Sequence, residues 1–280
     1  MIDHALVKQH YDFQDLPERL PRELEQAGLD LTDLNWMDLI PIDQFHSRGL
    51  VATEEIAQGL HLKPEMTVID IGCGIGGPAR YLSAVHECQV TGVDLSQSFI
   101  DVAKRLAELT RLTDRTTFVQ GDALNLPFDK ATFDHAVTQH VAMNISDRAG
   151  LYRNIHRVLK PGGRLAVYDL VEGNGDTLIF PVPWARGPET SFLIAPDEMR
   201  DVLFDTGFIE VYWQDKTPEG IAWFEDQMAE RRANPTPNPL NISMIMGPDF
   251  ARMAANVAQN LKEGRAALVL AIFEHSGGNY

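Results

Sequence analysis

Apolar residues along this chain fall into short β-branched runs, separated by longer stretches with helical spacing. The runs that predict strands lie at residues 67–71, 89–94, 117–120, 133–139 and 164–171, with two later ones at 208–213 and 265–274. Strand runs of this length alternating with helical patterns predict a parallel sheet covered by helices on both faces. Residues 53–59 read as a helix with a threonine start and a glycine stop, and residues 196–207 as another with an acidic first turn and a glycine stop. Leu16-Pro17-Glu18-Arg19-Leu20-Pro21 reads as a break that ends any helix before it.

The pattern divides the chain into four parts: an N-terminal helical lid segment (1–60), a core (61–216), a helical insertion (217–262) and a final strand with its tail (263–280). A connection as long as the insertion is not a turn between neighbouring strands. It carries Trp223, Phe224, Met228, Met244, Met246, Phe250 and Met253, and Asn234-Pro235-Thr236-Pro237-Asn238-Pro239 separates two helices within it. It reads as part of a cap over a site; a dimer interface or a plain helical buttress is the alternative.

The chemistry concentrates where the first run ends, in Asp70-Ile71-Gly72-Cys73-Gly74-Ile75-Gly76-Gly77. Such a segment predicts a buried strand, a tight turn and a helix start, with glycines that let a ligand approach the backbone. Asp94 closes the next run. Together they predict a nucleotide-type cofactor at the carboxyl edge of the sheet. Gly72, Gly74 and Gly77, with Asp94 about twenty residues further on, satisfy the dinucleotide fingerprint. An NAD(P) or FAD site therefore stands open at this point. A carboxylate at Asp70 suits a ligand with an ammonium group, such as S-adenosylmethionine (SAM), better than a pyrophosphate.

Further motifs follow in order: Gly121-Asp122-Ala123, Leu126-Pro127-Phe128, Phe133-Asp134-His135-Ala136-Val137, Leu159-Lys160-Pro161-Gly162-Gly163 and Arg164-Leu165-Ala166-Val167-Tyr168-Asp169. As a collinear set over roughly residues 45–210, they resemble the class I SAM-dependent methyltransferases. The resemblance implies an α/β, Rossmann-like three-layer sandwich: seven strands, mostly parallel, the last antiparallel, with a helical cap. It implies SAM as cofactor and S-adenosylhomocysteine as product. Asp70, Gly72, Gly74 and Gly76 match the glycine-rich motif, and Asp94 with Leu95 the acidic ribose position. Asp122 and Ala123 match the adenine position, and Gln139 one that touches the methionine part.

Composition limits the rest. At 280 residues, 44% hydrophobic and 23% charged, the chain suits one large α/β domain with or without a cap. A formal net charge of −16 argues against nucleic acid as substrate, which needs basic patches. No apolar run approaches a membrane span, and Met1-Ile2-Asp3-His4 does not begin a signal peptide. Two separated cysteines, Cys73 and Cys88, give no zinc-ligand spacing and suit a reduced cytoplasm.

Three segments resemble the small-molecule group that includes sarcosine/dimethylglycine N-methyltransferases and the tocopherol and ubiquinone/menaquinone methyltransferases. They are Phe45-His46-Ser47-Arg48-Gly49, Thr138-Gln139-His140-Val141-Ala142-Met143-Asn144 and Thr190-Ser191-Phe192-Leu193. The resemblance places His46 and Gly49 near the methionine end of the cofactor. The N-methyltransferases carry an acidic residue where His140 stands and a histidine where Asn144 stands, so a glycine-derived acceptor matches poorly. His140 is a candidate base or wall residue, and Tyr11 a candidate lid tyrosine with a catalytic role. Trp184, Phe192, Trp213 and Trp223 could hold a cation or stack on a phenol. The expected activity is methyl transfer to a small amine-like or phenol-like acceptor. Binding of SAM without catalysis, and an NAD(P)-dependent oxidoreductase, are the competing readings.

Overall fold

The computed structural model describes residues 10, 11, 13, 15–234 and 238–278. Its strands are β1 (Thr67–Ile71), β2 (Gln89–Asp94), β3 (Thr116–Gln120), β4 (Phe133–Gln139), β5 (Leu159–Glu172), β6 (Phe208–Asp215) and β7 (Ala266–His275). They form one sheet in the order β3-β2-β1-β4-β5-β7-β6. β7 runs antiparallel to both neighbours, and the other pairings are parallel. The strand order reverses between β1 and β4, where a crevice opens at the carboxyl ends of an α/β sheet.

Alternation along each strand feeds two cores. In β1, Val68 faces one cluster while Ile69 and Ile71 face the other. The longer helices are α1 (Leu16–Gln26), α2 (Leu50–Leu60), α3 (Gly77–His86), α4 (Gln97–Leu109), α5 (Arg148–Val158), α6 (Pro196–Asp205), α7 (Thr217–Ala233) and α8 (Phe250–Lys262). Ser96 caps α4 by accepting from the Phe99 amide at 3.3 Å, and Asp147 caps α5 through the Gly150 amide at 2.7 Å.

The expected break at Leu16–Pro21 is corrected: these residues begin α1. Pro17 lies in the first turn, where its missing N–H would have had no partner. Pro21 stands inside the helix and forfeits one bond. Leu16, Leu20 and Leu24 are buried along one face, and they pack with Phe99, Val102 and Leu106 of α4. Burial of that stripe outweighs a single lost hydrogen bond. β5 starts earlier than the expected residue 164, because Leu159 already pairs with Phe133; the register then shifts before Arg164 pairs with His135.

The 217–262 segment has two roles. α7 and α8 pack on each other and on β7, thickening one helical layer. The single-turn helix Ser243–Met246 turns away to contact α1 and the single-turn helix Ile40–Asp43. Residues 235–237 of the proline-rich run lie outside the described residues. Among the described residues, no helix is long and apolar enough to cross a membrane.

Candidate active site

One cavity lies over the switch point, lined by the ends of β1, β2 and β4 and by residues from distant parts of the chain. Its floor is the glycine turn. Gly72 has φ +72°, and a Cβ there would stand 2.4 Å from a Val141 methyl, so only glycine lets strand β4's loop close on it. The Gly74 N–H donates to Asp94 Oδ2 at 2.9 Å and the Ser96 N–H to Oδ1 at 2.8 Å. These two bonds aim the Asp94 carboxylate along the cavity edge. Burial still pushes its pKa up to about 6.

Asp70 lies one residue before the lining Ile71. It is buried, and its Oδ2 has no hydrogen-bond partner among the described residues. Burial, reinforced by the Asp94 charge, pushes its pKa up to about 7. A buried carboxylate oxygen without a donor is an acceptor in want of a ligand's N–H or O–H.

The far wall is built on residues 139–146. His140 has φ +55°, a left-handed conformation that is uncommon for a side chain with a Cβ. Its backbone N–H donates to the Tyr168 carbonyl at 2.8 Å, and its ring stacks on Tyr168 with centroids 5.5 Å apart and an interplanar angle of 9°. Burial first, then the nearby His46, hold its pKa well below the usual histidine range. His140 is therefore neutral at pH 7, and its Nε2 has no partner among the described residues. Asp169, whose pKa burial raises to about 6, accepts from the Val141 and Ala142 amides at 3.1 and 3.0 Å and pins the loop after His140.

The expected site residues separate into two groups. Tyr11, Gly72, Gly74, Asp94, Leu95, Asp122, Ala123, Gln139 and His140 all line the cavity. Asp122 Oδ1 accepts from the Leu124 amide at 2.8 Å, which fixes its loop. His46, Gly49, Asp70 and Gly76 stand behind the lining. The His46 Nε2 lies 2.9 Å from the Gln139 amide nitrogen, 3.0 Å from the Gly49 carbonyl and 3.1 Å from the Thr53 hydroxyl. It steadies Gln139 rather than reaching the cavity. Gly76 starts α3 at φ +82°.

Tyr11 closes the opposite side. Its hydroxyl donates to Asn144 Oδ1 at 3.2 Å, and its carbonyl accepts from Ser96 Oγ at 3.1 Å. Asn144 in turn donates to the Trp184 and Thr190 carbonyls at 2.7 and 3.0 Å. Phe45, Phe99, Pro183, Trp184, Met246 and Phe250 complete the lining. Of the four aromatic candidates only Trp184 is there; Arg200 lies 3.8 Å over the Trp213 ring, and Trp223 packs on Phe224. Sequence patterning missed Phe99, and it marked Asn144 only as a departure from the N-methyltransferase pattern. Phe99 has the spacing of an ordinary core residue, and the partners of Asn144 are remote in the chain.

Residues 69–167 match the methyltransferase domain family Methyltransf_11. The chain is 33% identical over 161 residues to an O-methyltransferase of Pyrenophora dematioidea, covering 56% of this chain and 59% of that protein. It is 33% identical over 156 residues to the sterol 24-C-methyltransferase ERG6B of Gibberella zeae, covering 54% of this chain and 41% of that protein. The chain thus spans about half the length of the curated relatives it matches. The crystal structure of the [4+2]-cyclase SpnF superposes with a TM-score of 0.71 at 23% identity, covering 99% of this chain and 98% of that one. That likeness is one of fold. The core of this chain is a methyltransferase domain with the class I SAM-dependent fold. SAM is the cofactor of that domain family.

Proposed function

We propose that this protein transfers a methyl group from SAM to a small-molecule acceptor by in-line displacement. The observation that carries this reading is one cavity in which the Asp94 edge and the neutral His140 ring face a common space. Asp94 and Leu95 would take the ribose, and Asp122 and Ala123 the adenine. Gln139, backed by His46 and Gly49, would meet the methionine part, and the orphaned Asp70 its ammonium group. Gly72 and Gly74 hold the tight backbone turn that forms the floor beneath that ligand. When bound, the cofactor supplies an electrophilic methyl on a cationic sulfur that is already a good leaving group.

The protein's share is alignment and proton removal. Holding the acceptor atom in line with the methyl supplies much of the rate. An acceptor hydroxyl loses its proton to His140 Nε2 as the new bond to the methyl forms. This favours the phenol-like acceptor over the amine-like one. Tyr11 orders the wall through Asn144 and faces the reacting end. The N-terminal segment, through Tyr11 and Phe45, and the insertion, through Met246 and Phe250, act as the cap.

The test is transfer of labelled methyl from SAM to a split panel. One half holds sarcosine, dimethylglycine and thioethers, and the other holds phenols and quinols. Label in the phenol half is expected. Label confined to the amine half removes His140 as a base, and no label despite tight S-adenosylhomocysteine binding leaves a binding protein without catalysis.

Cofactor binding is expected to depend on pH. Both carboxylates have raised pKa values, so in the free protein they bind protons more strongly than in the unfolded chain. Their contribution to stability therefore rises as pH falls from about 7 towards 4. The ammonium group needs Asp70 ionised, so affinity moves the opposite way. It is expected to fall by roughly tenfold per unit below pH 7. Calorimetric titration with S-adenosylhomocysteine at pH 8 and pH 5.5 checks this; equal affinities would remove Asp70 from the ammonium site.

A further inference from the structure

The acceptor end of the cavity is defined by what it lacks as much as by what it holds. Among the described residues lining the cavity there is no lysine or arginine. The two charged residues there, Asp94 and Asp122, belong to the edge assigned to the ribose and adenine. Arg186, which is not among the lining residues, lies 3.0 Å from Asp249, which also faces Arg252. Arg148, also outside the lining, donates through Nη2 to the Phe192 carbonyl at 2.7 Å. An anionic acceptor would meet Phe45, Met143, Ile145, Trp184 and Met246 with no cationic side chain among the described lining residues to pair with, and beside the uncharged sulfur of S-adenosylhomocysteine such an unpaired charge is strongly disfavoured.

The polar groups of this wall are largely spent on one another. The Tyr11 hydroxyl is given to Asn144, and both Asn144 amide hydrogens go to the Trp184 and Thr190 carbonyls. The Trp184 indole N–H donates to Ser191 Oγ at 2.9 Å. Two lining residues keep a buried polar atom with no partner among the described residues, Gln139 at Oε1 and His140 at Nε2; with Gln139 assigned to the methionine part, His140 is the one left for an acceptor molecule. It matches a single O–H donor. A cationic acceptor would meet the cofactor's own positive sulfur, and the nearby carboxylates are engaged elsewhere: Asp94 accepts from the Gly74 and Ser96 amides and Asp169 from the Val141 and Ala142 amides.

We propose that the acceptor is an uncharged, predominantly apolar ring molecule that presents one hydroxyl to His140 and is free of carboxylate, phosphate and ammonium groups. This rests on the methyltransferase reading above. It separates the chain from acceptors such as N-methyl amino acids, phosphobases and prenyl diphosphates, each of which carries a charge this wall does not answer.

Three probes share one aromatic body and differ in charge: 1-naphthol, 1-naphthoate and 1-naphthylmethylammonium. Each is titrated into protein saturated with S-adenosylhomocysteine at pH 7.5, with tryptophan fluorescence and calorimetry as readouts. The expected result is 1-naphthol binding at least about tenfold more tightly than either charged probe. Ile145→Lys, which places a cation on the wall, is expected to narrow the gap between naphthol and naphthoate. Equal or tighter binding of a charged probe by the native protein overturns the proposal, and so does failure of 1-naphthol to bind. Binding of S-adenosylhomocysteine is measured first and independently. Its failure overturns the methyltransferase reading itself, whereas normal cofactor binding with a preference for a charged probe overturns only the inference about the acceptor.

Discussion

Replacing Arg80 with leucine is expected to destabilise the folded protein by about 3–5 kcal/mol, the range for breaking one side of a buried ion pair. Arg80 is 0% exposed, and its Nη2 lies 2.8 Å from Asp43 Oδ2. Its Nη1 donates to the Ile75 carbonyl at 2.7 Å. One guanidinium thus joins the glycine turn to the short helix Ile40–Asp43 of the N-terminal segment. The packing there leaves no slack, since a Cβ on Gly77 would stand 2.2 Å from the Asp43 carbonyl oxygen. Leucine would leave the Asp43 carboxylate buried with no cation beside it, held by Gln44 Nε2 at 3.0 Å and by its own backbone N–H. Burial already raises the Asp43 pKa despite the Arg80 charge, so the variant should regain part of its stability as pH falls and Asp43 takes up a proton. Denaturant unfolding at pH 8 and pH 5 measures both effects. The double variant Arg80→Leu/Asp43→Leu should lose less than the single one. A loss under about 1 kcal/mol for Arg80→Leu would show that the pair is not buried and coupled.

How legible the fold was depended on how local each signal is. The strands ending in Ile71, Asp94 and Gln139 could be bounded from the sequence because a buried parallel strand is a compact apolar run with a polar or glycine stop. Those stops carry Asp94, Gln139 and His140, and the turn after β3 carries Asp122, so the cofactor edge and the strand ends were read together. Helix α1 was misread because two prolines are a strong local signal, while the contact that overrides them, with α4, is remote. The acceptor wall was hidden for a similar reason. Tyr11 and Asn144 are 133 residues apart, and His10 reaches the Pro183 carbonyl across 173. Nothing in the spacing of either segment indicates that they meet. His46 illustrates a finer limit: its motif placed it near the site, and its ring nitrogen faces the back of Gln139.

The second large effect concerns His140. His140→Asn is expected to lower kcat by about 10²–10⁴-fold for a hydroxyl acceptor, the usual contribution of a positioned general base. Asparagine is the informative replacement because it tolerates the left-handed backbone that His140 adopts at φ +55°, so folding is spared the strain a β-branched residue would add. S-adenosylhomocysteine affinity and the melting temperature should then stay near those of the native protein. The pH profile separates a base from a wall residue. A base works in its neutral form, and His140 is held well below the usual histidine range by burial and the adjacent His46. With SAM held saturating at every pH, so that the Asp70 effect on cofactor binding drops out, the native kcat should therefore stay high as pH falls through 6.5 and drop only at lower pH, and the variant should lose that acid limb. A merely structural histidine would change stability or KM and leave the shape of the profile intact. A loss in kcat smaller than about tenfold, with the acid limb retained, would place proton removal elsewhere. The stacked Tyr168 ring, 5.5 Å from His140, is what fixes the imidazole plane. Tyr168→Phe, which keeps the ring and removes the hydroxyl, should preserve the profile.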